Sequence, residues 1–373
     1  MPPWRKLKKM DEYSSLSNRT NTRLPADHWA AHQLCFVIHD VMLQSLISGR
    51  QASIFSGHIK FRDEEDRASF EGATDIFDWL ENSNREDDRA DLLVNLVFPN
   101  LLGDMFDCLY EALETSRKGK LTVSFMLLRK PLQECLFLLE SMVIDRHDYA
   151  GKLATNPLQL WSQRGHDLDA HTKRITKVLE ILGESERFDA NFLAQLRYDK
   201  SAPDGFDGVC NKAMHLFTGH KAIQTAPLNV NFIFSEYNEK LTQWAYLYSR
   251  LPYLLAYLHC VVEHIYATIA LTTPAYIEDM NRRIAALVVL WWEGVKPPHD
   301  EPRLHTFFHH TQAWLHNHCS KQGYRPPGHA DLLRMADSGA YPGEAEDEVA
   351  ERQQQFVQAA ISCGSAQQET SGS

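Results

Sequence analysis

The sequence predicts a mainly α protein, a helical bundle built around a long antiparallel helical hairpin with little or no sheet. Apolar residues recur at helical spacing along most of the chain. Continuous alternating runs, the mark of half-buried strands, are scarce. Two long helical patterns, Leu92 to Arg117 and Leu121 to Asp145, are separated only by the polar turn KGK at Lys118 to Lys120. A connection this short folds the second helix back along the first.

Taken in order, Asp27 is placed to cap a first helix through HWAAHQLCFVIHDVMLQSLIS, and Gly49 to end it. Ile54 to Arg62 reads as extended chain or a short strand. The strongly acidic stretch from Asp63 to Asp91 reads as a solvated connector holding a short helix near Asp75 to Leu80. After the hairpin, helical pattern resumes over His166 to Leu182 and Ala190 to Tyr198. Ser201 to Lys212, SAPDGFDGVCNK, reads as a loop by its Pro and Gly content, and Leu228 to Phe234, LNVNFIF, as a strand or extended arm. Long helices are expected from Ser235 to Leu271 and from Ala275 to Gly294. KPPHDEP at Lys296 to Pro302 breaks the chain before a helix at Arg303 to Cys319, and a short helix is placed near Glu348 to Ile361.

These elements divide the 373 residues into a mobile basic arm (1–25), a main helical domain (26–295), an appended helical segment (296–337) and a mobile tail (338–373). The main domain reads either as one bundle or as two sub-bundles, 26–200 and 210–295. The 44% hydrophobic and 23% charged fractions are those of a folded globular chain. A net charge of -11 argues against general electrostatic coating of nucleic acid, leaving WRKLKKM at Trp4 to Met10 as the one obvious basic cluster. Seven dispersed cysteines without a C-x-x-C pair fit free thiols in a reducing compartment, and no apolar stretch follows the basic N-terminus. The chain is therefore expected in the cytoplasm. Leu251 to Leu271 has the length of a membrane span but carries Pro252, His259, Glu263 and His264, so a buried core helix is the reading and no membrane is expected.

Motif searches exclude several chemistries. H-E-x-x-H, a Walker loop, G-x-G-x-x-G and G-x-S-x-G are all absent, which disfavours metalloproteases, P-loop enzymes, Rossmann dehydrogenases and serine hydrolases. No cofactor is expected. The histidines of HCVVEH, His259 and His264, stand five apart where a zinc helix needs four. His305, His309 and His316 share one face of a helix and are the candidate metal ligands, although one helix cannot close a tetrahedral site. On the helix after Ser235, Tyr246, Arg250, Tyr253, Tyr257 and His264 form a stripe opposite Leu254, Leu258 and Val261. Such a stripe suits either a ligand groove with Arg250 facing an anion or the wet edge of a core.

The segment Phe125 to Asp145, FMLLRKPLQECLFLLESMVID, keeps Arg129, Lys130, Glu134 and Glu140 inside an apolar run. Pro131 must start or kink its helix. The pattern predicts a helix covered on most sides, with Arg129 or Lys130 paired to Glu134 or Glu140, facing either a neighbouring helix or a cleft.

The helix LLRKPLQECLFLLE, with the later histidine of NKAMHLFTGH, resembles bacterial helical proteins of the HEPN superfamily (higher eukaryotes and prokaryotes nucleotide-binding), over Leu92 to His220. Several members are metal-independent ribonucleases of toxin and phage-defence systems, carrying an Arg followed after four to six residues by a His. Here Arg23 with His28, Arg164 with His171, and Arg303 with His309 or His310 match that spacing. The resemblance implies Arg164 as the phosphate-stabilising group and His171 as the proton carrier, with Arg129, Glu134 and His215 as further candidates at a ligand site. Three functions stay open: a defence or stress-system component acting on RNA or nucleotide, a non-enzymatic helical interaction or scaffold protein with a protein partner or second copy, and a small anionic-ligand binder.

Overall fold

The computed structural model describes residues 22–57, 59–160, 167–202, 205–214 and 236–354. Helices account for nearly all of the regular structure, and no strand occurs among the described residues. They are α1 (Trp29–Gln51), α2 (Glu64–Glu71), α3 (Ile76–Asn82), α4 (Glu86–Arg117), α5 (Leu121–Arg129), a π-helical segment (Lys130–Cys135) and α6 (Leu136–Ile144). Then follow α7 (Arg146–Thr155), α8 (Pro157–Leu160), α9 (Leu168–Leu182), α10 (Ala190–Tyr198), α11 (Phe206–Ala213), α12 (Tyr237–Ile269), α13 (Pro274–Gly294), α14 (Pro302–Lys321) and α15 (His329–Ser338). Residues 346–354 are also helical.

Aspartate caps set many of the starts. Asp63, Asp75, Asp145, Asp167 and Asp189 each accept backbone N–H groups from the first turn of α2, α3, α7, α9 and α10. Each neutralises donors that the helix itself cannot satisfy. The acidic stretch from Asp63 is thus two capped helices, α2 and α3, and Arg85 binds it down by donating to Asp66, to Asp88 at 2.6 Å and to the Lys60 carbonyl at 3.0 Å.

Asp27 lies in a 3-10 turn and not at the cap of α1, and α1 runs past Gly49. Gly49 serves close packing instead: a Cβ there would sit 2.6 Å from the Phe55 ring. The segment Ile54 to Arg62, read from sequence as extended chain or a short strand, begins instead with turns at 54–56 and holds no strand among its described residues. Ser201 to Lys212 is not a loop throughout, because α11 occupies Phe206–Ala213 and buries Phe206, Val209 and Cys210. The expected strand at Leu228 to Phe234 lies outside the described residues.

α4 and α5 join through three residues, and their contacts step in opposite directions. Ser124 Oγ donates to the Ala112 carbonyl at 2.6 Å, and further along Lys130 pairs with Asp104. The 33-residue α12 is the centre of the fold, buried on every side from Gln243 to Tyr257 and packed on α1, α5, α6, α9 and α14. An all-round apolar helix needs such a jacket. α1 and α4, the two described helices long and apolar enough to cross a membrane by length and composition, give their buried faces to the same core.

That core is continuous from Leu24 to Tyr341. The ranges 26–200, 210–295 and 296–337 all contribute to it. Residues 339–349, assigned from sequence to a mobile tail, bury Ala340, Tyr341, Glu344 and Val349. They are held because Arg352 donates to Asp279 at 2.6 Å, to Glu344 at 2.9 Å and to the Gly339 carbonyl at 3.0 Å.

Candidate functional site

The polar groups of the hairpin's second helix converge where α6, α9, α10 and α12 meet. Pro131 supplies no N–H to the helix ladder, and the chain widens into the π segment around it. One extra residue in a turn rotates everything after it by about 100°. That rotation carries Glu140 inward, where its side chain has no exposure at all.

Three groups surround the carboxylate. Arg197 donates through Nη1 to Oε1, Arg174 Nε donates to Oε2 at 3.3 Å, and the Tyr257 hydroxyl donates to Oε1 at 2.8 Å. Arg197 is itself saturated, giving Nε to the Leu132 carbonyl at 2.7 Å and Nη2 to the Tyr198 hydroxyl at 2.6 Å. Gln133 closes the ring by donating to the Arg197 carbonyl at 2.9 Å. Arg174 adds the Phe137 carbonyl and Ser141 Oγ, both at 2.6 Å, and lies over the Phe137 ring. Burial alone would raise the Glu140 pKa, but the two guanidinium groups outweigh it and hold the carboxyl below its ordinary range. Burial pushes the Tyr257 and Tyr198 hydroxyls up, so both stay protonated donors.

The expected pairing of Arg129 or Lys130 with Glu134 or Glu140 is therefore corrected. Lys130 goes to Asp104 on α4, and Glu140 takes its partners from α9, α10 and α12. Arg129 and Glu134 form no ion pair with each other. The Arg129 Nε is buried without a hydrogen-bond partner, and burial raises the Glu134 pKa despite the attraction of Arg129 and Lys130. Arg129 ends α5, which packs on α11, and the buried Cys210 thiol there feels its charge.

His171 is buried, with its ring flat against Tyr198 at 3.7 Å between centroids. That position makes it a packed wall of the Glu140 cluster. Arg164 and His215 lie outside the described residues. Arg174, Arg197 and Tyr198, absent from the sequence-derived candidates, are the residues that complete the cluster. Their signal was an arginine on the apolar face of its helix: Arg197 follows Leu193 by four residues, and Arg174 precedes Val178 by four.

The tyrosine stripe does not line a groove. Tyr246 packs on Phe125 and Phe206, and Tyr253 on Phe188, Phe192 and Phe307. The Tyr253 hydroxyl accepts the Asp189 N–H at 2.9 Å, while Arg250 donates to Ser249 Oγ at 2.6 Å and to the His299 carbonyl at 2.9 Å. The helices wrapped around α12 cover both of its faces. His264, near its exit, is the partly exposed member, with a pKa lowered by burial.

Of the candidate metal ligands, His305 and His309 bring their Nε2 atoms to 2.9 Å on the exposed face of α14. His316 lies about 10 Å further along the axis than His309. No group of three or more ligating side chains forms among the described residues.

An open hollow of about 400 Å³ between the 52–57 turn and α4 touches Phe55, Leu92 and Leu96 and contains none of the candidate residues.

No family model, curated protein or solved structure matches the chain.

Proposed function

We propose that this chain is a non-enzymatic helical interaction protein, whose interior polar cluster fixes the bundle and whose surface meets a protein partner or a second copy. The observation that supports this is the occupancy of Glu140: two guanidinium groups and a phenol already fill its acceptor positions inside the core. A reacting group must exchange partners during a turnover, and a carboxylate locked this way has none to release without a large desolvation cost. The hydroxyl of Tyr257, the guanidinium of Arg250 and the ring of His171 are likewise engaged within the fold.

The test separates this from the ribonuclease reading. Labelled RNA incubated with folded protein in excess chelator should stay intact, and Arg164→Ala and His171→Gln should match wild type. Metal-free cleavage lost in both variants would restore the ribonuclease reading. Chemical crosslinking and light scattering across a wide concentration range should reveal saturable self-association, or a stoichiometric complex with a purified partner. A strict monomer without any such complex would count against the proposal.

A further inference from the structure

His305 and His309 stand one turn apart on the exposed face of α14, with their Nε2 atoms 2.9 Å apart and their ring planes at 88° to each other. Residues four apart on a helix point the same way, so both rings leave from one side of the axis. Each has the other as its hydrogen-bond partner, and no carboxylate or carbonyl binds either ring among the described residues. The acid one turn earlier, Glu301, is committed to the start of the helix, accepting the N–H groups of Arg303 at 2.8 Å and Leu304 at 3.3 Å.

Aromatic side chains back the pair. Trp292, near the end of α13, lies 5.4 Å from the His305 ring and is stacked on Phe308 at 5.4 Å and 13°. Phe308 in turn lies 5.1 Å from His309. Both aromatics are half-buried, so they restrict the two exposed imidazoles and reduce the ordering that binding would otherwise require.

The spacing is that of two ligands on one metal. Imidazole nitrogens bind divalent transition metals at about 2.0–2.1 Å, so two of them 2.9 Å apart subtend about 90° at the ion. That is the cis angle of a square-planar or tetragonal centre, whereas a tetrahedral pair would stand about 3.3 Å apart. One helix cannot close a tetrahedral site, but a tetragonal ion needs only two cis ligands here and fills its other positions with water. Within the pair one ring donates its Nε2–H to the other. A metal takes the place of that proton, which returns to Nδ1 of the same ring through solvent, and both imidazoles stay neutral. The other histidines of α14 do not join: His310 points about 100° around the helix, and His318 is held by the Tyr341 hydroxyl at 3.0 Å.

We infer that His305 and His309 form a bidentate surface site for a divalent transition ion of tetragonal preference, Cu(II) or Ni(II). The site lies apart from the Glu140 cluster and does not depend on the interaction reading.

The experiment is Ni(II) titration of the full chain, followed by calorimetry and by tryptophan fluorescence. Wild type should bind saturably and its fluorescence should change with occupancy. His305→Asn and His309→Asn should each weaken binding about tenfold or more, and each should fall to the level of the double variant, because a chelate is lost when either arm is lost. His310→Asn, an exposed imidazole next in sequence, should keep the wild-type affinity. Trp292→Phe should keep the affinity by calorimetry and lose the metal-linked fluorescence change.

Absence of saturable binding in wild type overturns the inference. Single variants that keep the wild-type affinity, or that each lose only part of what the double variant loses, overturn it too, because the rings then do not act as one chelate. An equal loss in His310→Asn assigns the binding to a loose cluster of surface imidazoles, and a fluorescence change that survives Trp292→Phe places the ion elsewhere; either result overturns it.

Discussion

Glu140 meets two guanidinium groups and a phenol in the core, and its lowered pKa makes it a stabilising group above its unfolded value of about 4.5. The contribution is present at neutral pH and is lost as pH falls through the lowered folded value. Removing the carboxylate alone strands Arg197 and Arg174, so Glu140→Gln should destabilise by about 3–5 kcal/mol in urea unfolding. The apolar pair Glu140→Leu with Arg197→Met should recover much of that loss, since both charges leave together. A double variant no more stable than Glu140→Gln would contradict this account. His32 also costs stability as pH falls, but for a different reason. Its Nε2 is buried without a partner, and burial lowers its pKa to about 4. The unfolded ring binds a proton from about pH 6.5 downward while the folded ring stays neutral, so stability falls from there to about pH 4. The full span is worth up to about 3 kcal/mol, and His32→Gln should flatten the stability profile across it.

At the scale of elements, glycines at positive φ distinguish backbone strain from contact. Gly183 and Gly339 both close helices at a φ of 70°. Beside Gly183 nothing lies within 4 Å of an added Cβ, whereas beside Gly339 the Asp279 carboxylate would stand at 2.2 Å. Gly183→Ala should therefore cost about 1 kcal/mol, the backbone term alone. Gly339→Ala should cost at least about twice as much, because Asp279 also anchors Arg282, Arg283 and Arg352. Equal melting temperatures for the two variants would refute the packing of 339–354 on α13. The π segment belongs to the same scale. Pro131 made a break or kink legible, but a helix that continues through it with a widened turn depends on the Arg197 side chain that occupies its flank.

For the whole molecule, one core from Leu24 to Tyr341 predicts one cooperative unfolding transition for all described elements, observable as coincident near- and far-ultraviolet circular dichroism melts. Two separated transitions would instead indicate sub-bundles. The helical class, the extents of α10 and α13 and the buried character of α12 were legible because period-3.6 apolar patterns act within a few residues of sequence. The polar face of α12 was legible as a stripe but not as core, because whether Tyr253 meets water or Phe307 depends on α14, which arrives about fifty residues later. The same holds for the charges of the hairpin. Sequence determined that Glu140 sits in an apolar run, and local chemistry could say only that it needed a partner. Tertiary structure decided that the partners are Arg174, Arg197 and Tyr257, brought from three other helices. Helix formation follows from contacts three and four residues apart, whereas the pairing of buried charge is fixed only when distant helices exclude water together.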